Sequence, residues 1–80
     1  MTLEAERLMT EALRRVELSD SFCPIEIGHK IGLDRPHSEA AARDLSNAGI
    51  LVLGFDLAAR FSADFRKARA RIATNKRPRQ

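Results

Sequence analysis

The sequence predicts a mainly α fold, a three-helix core followed by a C-terminal helix, with a β-prone segment between them that one reading closes into a small β-hairpin. Three observations carry this. Residues 24–48 read as two short helices, each closed by a glycine, Gly32 and Gly49. A β-prone run, Ile50-Leu51-Val52-Leu53, comes directly after and stops at Gly54. Apolar residues recur at helical spacing near both ends of the chain, from Ala5 to Val16 and from Phe65 to Ile72.

The first helix is expected over residues 3–18. Thr2 can cap it, Glu4 and Glu6 fall in its first turn, and Arg14 and Arg15 lie near its end, which suits the helix dipole. Ala5, Leu8, Met9, Ala12, Leu13 and Val16 form a broad core stripe, and Glu11 is placed to pair with Arg15 on the wet side. Ser19-Asp20-Ser21 reads as a turn. Phe22-Cys23 reads as an apolar entry into Pro24, with Cys23 expected as a small buried hydrophobe.

In the next segment Ile27 and Ile31 share a helical face. Gly28 sits where anything larger would hold a neighbouring helix away, and Gly32 where a helix stops through a left-handed φ. Leu33 returns the chain to the core. Asp34 can cap a helix with Pro36 in its first turn, whose Ala41, Leu45 and Ala48 face inward.

The segment after Gly54 has two readings. In one, Leu57 to Phe61 is a return strand, with Leu57, Ala59 and Phe61 pointing inward; Ser62 then caps a last helix over residues 63–73. In the other, Asp56 caps one long helix in which Leu57, Phe61, Phe65, Ala68 and Ile72 recur at steps of four and three. Leu-Ala-Ala-Arg locally prefers helix. Residues 74–80, without an apolar side chain, are expected to form a disordered basic tail, so the chain is one domain, 1–73, plus that tail.

The run Ile27-Gly28-x-x-Ile31-Gly32-Leu33-Asp34 followed by Leu45-x-x-x-Gly49-Ile50 resembles the helix-turn-helix of the winged-helix superfamily, over about the middle third of the chain. The resemblance implies a winged helix-turn-helix core with a wing at about 50–61, a short strand near Phe22 that pairs with the wing, and the strand reading of residues 57–61. It speaks to fold more than to function.

Such a fold would put the residue 36–48 helix in the major groove of double-stranded DNA. Arg35, His37, Ser38, Glu39, Arg43 and Asn47 are then the residues placed to reach it: Arg43 onto guanine, Asn47 onto adenine, Ser38 onto phosphate. Glu39 and Arg43, four apart, can equally pair with each other in water. Charge adds a caution. Residues 24–49 hold three cations against four acids, too few to neutralise many phosphates.

The cations lie elsewhere. Residues 1–59 carry six Lys and Arg against ten acids, whereas residues 60–80 carry eight against Asp64 alone. Arg60, Arg66, Lys67, Arg69, Lys76, Arg77 and Arg79 are therefore the expected phosphate contacts, with Arg71 beside them.

Other classes are disfavoured. An apolar share of 44% in 80 residues fits a small globular domain and argues against wholesale disorder. No run is long enough to span a membrane and no signal-peptide pattern is seen. One cysteine forms no internal disulfide, which suits a cytoplasmic location. His29 and His37, with Cys23 as a third donor, lack zinc-site spacing, so no metal or other cofactor is expected. No nucleophile motif, phosphate loop or carboxylate pair indicates an enzyme or a small-molecule substrate. Without Trp or Tyr, and with four Phe, single-strand stacking is disfavoured. The expectation is a small DNA-binding transcriptional regulator, with a homodimer as one arrangement. A protein-interaction module on the same scaffold is the alternative.

Overall fold

The computed structural model describes residues 1–75, with side chains to Arg71. Its elements are α1 (Leu3–Arg15), α2 (Pro24–Lys30), α3 (Arg35–Asn47), β1 (Leu51–Leu53), β2 (Ala59–Phe61) and α4 (Ala63–Asn75). It is mainly helical, with one two-stranded antiparallel sheet. α3 is the central element and packs against α1, α2 and β1.

α1 begins as the sequence dictates, with Thr2 Oγ1 accepting from Ala5 N at 3.1 Å. It ends three residues before the expected boundary, because Val16 is extended (φ −127°, ψ 154°). Leu8 and Ala12 are buried, with Met9, Leu13 and Val16 half-buried beside them. Glu11 departs from expectation. It is only 8% exposed and is held by both Arg14, at 3.0 Å, and Arg15. The Arg15 hydrogen bond, with help from Arg14, holds its carboxyl below the usual range against the opposing effect of burial.

The turn between α2 and α3 is a Schellman motif: Gly32 N donates to His29 O and Leu33 N to Gly28 O, with Gly32 at φ +84°. α3 ends the same way. Gly49 N donates to Ser46 O, Ile50 N to Leu45 O, and Gly49 has φ +80°. These two glycines set where the chain reverses on either side of α3. Gly28 has a different task. A methyl group there would lie 1.9 Å from Ser38 Oγ, so its missing side chain is what lets α2 and α3 touch.

Ala41, Ala42 and Leu45 form the buried face of α3 with Ser38. Ala48, expected inside, is exposed: it is the C-cap, where the chain already turns away, and Ala42 takes the inward place. Cys23 is exposed as well. Phe22 pairs with Ala59 through two 2.8 Å backbone hydrogen bonds and points inward, so its neighbour in extended chain points out.

The strand reading of residues 57–61 holds and the long helix does not. Leu51 pairs with Phe61, Val52 with Arg60 and Leu53 with Ala59. Both strands are shorter than expected, and Leu57 lies in the connecting turn at φ +65°. Tertiary burial overrides local propensity here. Ala59 and Phe61 are completely enclosed, and Phe61 packs on Phe22 and Phe65 at ring separations of 5.6 and 5.2 Å. Ser62 caps α4 by accepting from Phe65 N, while its own hydroxyl donates to Gly49 O at 2.7 Å. α4 runs two residues past its expected end, to Asn75. Ala68, expected on an apolar stripe, is exposed.

Candidate nucleic-acid interface

With 100° between successive residues, the buried face of α3 (Ser38, Ala41, Ala42, Leu45) leaves Pro36, Ala40, Arg43 and Asn47 on the opposite side. All four are exposed. Arg35 and Glu39 flank this face and His37 lies on its other shoulder. Among the described residues Arg43 has no ion-pair partner. Glu39 pairs with Arg35 at 3.4 Å and not with Arg43. That leaves Arg43 and Asn47, four apart, as neighbouring fork-shaped groups at the centre of an open surface. A guanidinium and a carboxamide of this kind match the major-groove edges of guanine and adenine.

The N-terminal end of α3 is fixed by Asp34. Its Oδ1 accepts from His37 N at 3.0 Å and meets His37 Nδ1 at 2.5 Å. The backbone and ring hydrogen bonds from His37 hold the Asp34 carboxyl below its ordinary value. The Asp34 carboxylate raises the imidazole in turn, by hydrogen bond first and charge second, with Glu4 of α1 adding to the effect. His37 is thus tied to its own cap.

Ser38 is corrected. It has no exposed surface, and its Oγ faces Gly28 without a hydrogen-bond partner among the described residues. It therefore has no access to phosphate, and belongs to the packing of α2 on α3. Ala40 and Pro36 were not singled out by sequence reasoning. They carry no charge or polar group to draw attention, yet Ala40 sits between Arg43 and Pro36, where a methyl can meet the methyl of thymine.

The remaining cations are distributed over two elements. Arg60 is on the outer face of the hairpin, opposite Val52. Arg66, Lys67, Arg69 and Arg71 are all exposed on α4, whose Phe65 stacks on Phe61 near the start of the helix. Lys76, Arg77 and Arg79, with the expected tail, lie outside the described residues. No group of three or more His, Cys, Asp or Glu among the described residues is arranged to hold a metal ion. None of the described helices is long and apolar enough to cross a membrane. Comparison with family models, with curated proteins and with solved structures finds no match to this chain.

Proposed function

We propose that this protein binds double-stranded DNA as a small transcriptional regulator of winged helix-turn-helix type, with α3 in the major groove and α4 along the phosphates. The observation that carries the reading is the outward face of α3, where Arg43 and Asn47 stand exposed and adjacent, with Arg43 unpaired among the described residues. Arg43 and Asn47 read base edges, Ala40 offers a methyl contact, and Arg35 and His37 position the helix end on the backbone. Arg60, Arg66, Lys67 and Arg69 supply the electrostatic attraction that α2 and α3 lack. The reading assigns no catalytic step and no cofactor.

Replacing Arg43 tests it. Arg43→Ala should weaken binding to a preferred duplex by about 1–3 kcal/mol and relax discrimination at one base pair, because a bidentate contact is lost. Unchanged binding and unchanged sequence preference would remove α3 from the interface.

A second reading, a protein-interaction module, is favoured by one observation. Between Gly49 and Ala59 the chain has no cation and one acid, Asp56, and it presents Phe55 wholly to solvent. That composition suits a protein surface better than a phosphate backbone.

A further inference from the structure

Two features of the surface are unexplained by DNA binding, and they complement each other. The first is the hairpin tip. Phe55 is fully exposed, Asp56 is beside it, and Val52 on the outer face is 49% exposed. The loop that carries them is pinned: Gly54 N donates to Ala58 O at 2.7 Å, Leu57 N to Gly54 O at 3.1 Å, and Ala58 N to Asp56 Oδ1 at 3.1 Å. Leu57 is held in the left-handed region at φ +65°, which a leucine adopts only when its surroundings require it. The ring is thus carried outward by an ordered turn.

The second feature is a concavity of about 440 Å³ on the outer side of α2 and the turn after it. Half-buried Ile25 and Leu33 supply its apolar lining, and Lys30, Arg35 and His29 stand around it with Glu26 as the one acid. Its volume lies within the range of pockets that take a small ligand or a single aromatic anchor. Lys30 has no ion-pair partner among the described residues.

We infer that the occupant of this concavity is the hairpin tip of a second copy of the chain, with Phe55 against Ile25 and Leu33 and Asp56 against Lys30. The match is of two kinds. An aromatic ring with no neighbour meets an apolar floor with no cover, and a carboxylate beside the ring meets an unpaired ammonium beside the floor. Donor and acceptor surfaces are different patches, so two copies close into a dimer when the contact is made reciprocally and extend into a chain when it is not. Phe55, Asp56 and Lys30 lie outside the proposed DNA-contacting set, while Arg35 borders both the concavity and the proposed DNA face, so self-association is read in the absence of nucleic acid.

Sedimentation equilibrium of the full chain, without nucleic acid, tests it. The wild type should self-associate; Phe55→Ser should weaken association by about tenfold or more, and Asp56→Asn, which keeps the Oδ1 acceptor of the turn, and Lys30→Gln should each weaken it by a smaller factor. Combining Asp56→Asn with Lys30→Gln should weaken association no further than either change alone, because both remove the same ion pair. Phe55→Ser alters a side chain that supports nothing in the fold, and an unchanged circular dichroism melt checks this. A wild type that stays monomeric at millimolar concentration overturns the inference. So does association that survives Phe55→Ser, or a double change whose loss equals the sum of the two single losses.

Discussion

The contact between Gly28 and Ser38 shows how narrowly single residues decide this fold. Ser38 Oγ occupies the space a Gly28 side chain would need and has no hydrogen-bond partner among the described residues. Gly28→Ala should therefore destabilise by about 1–3 kcal/mol through overpacking, although alanine is the better helix former. Ser38→Ala should be neutral or stabilising by up to about 1 kcal/mol, since it removes a buried hydroxyl that bonds to nothing. Urea denaturation of both variants checks the pair of signs. The Gly28 requirement was legible from its place before the turn. The burial of Ser38 was not, because a serine near a helix N-terminus is equally at home in solvent, and only the Gly28 approach encloses it.

The pair formed by Asp34 and His37 makes a pH prediction at the same scale. His37 has its pKa raised, so its contribution to stability is complete below the ordinary histidine value of 6.5. That contribution is lost as pH rises through the higher value of the folded state. Asp34 has its pKa lowered, so its contribution is present above 3.8 and is lost as pH falls through the lower folded value. Thermal melts should show a decline in Tm on the alkaline side of pH 6.5 that His37→Gln removes. A slope that survives the substitution would assign the effect to another group.

At the scale of elements, most of the legible information was in punctuation. Thr2, Asp34 and Ser62 cap α1, α3 and α4 as expected, and Gly32 and Gly49 close α2 and α3. What the sequence left open was residues 57–61, where Leu-Ala-Ala-Arg prefers helix. The choice lies in partners distant along the chain: Phe22 pairing with Ala59, and Phe61 closing over Phe22. Local propensity has no access to those contacts. Ser62 joins the two halves of this region, since it caps α4 and also donates to Gly49 O. Ser62→Ala should cost about 0.5–2 kcal/mol. Amide exchange should accelerate first in the opening turn of α4, and protection that stays unchanged there would contradict the capping role.

For the whole molecule the governing property is the division of charge. The stretch of residues 1–59 is net acidic, and the described cations of residues 60–80 lie on β2 and on α4. This asymmetry was plain in the sequence, as was Arg43 on the outer face of α3, whereas the choice between Ser46 and Asn47 there came from the structure, in which Asn47 is the exposed one. The outward place of Ala40, the loss of Ser38 to the interior and the pairing of Glu39 with Arg35 needed the packed structure, because each depends on the rotation of α3 in its socket. If DNA is the partner, base reading and phosphate attraction reside on separate elements, so they should separate under mutation.

The most direct test of that claim is the salt dependence of binding to a DNA duplex, measured for the full chain, Arg43→Ala and the double variant Arg66→Ala/Arg69→Ala. The α4 double variant should lower the slope of log K against log salt by about two, with sequence preference kept. Arg43→Ala should instead lose preference for one base pair. Absence of binding by the full chain at low salt, or a slope that neither variant changes, would contradict the division of labour between α3 and α4.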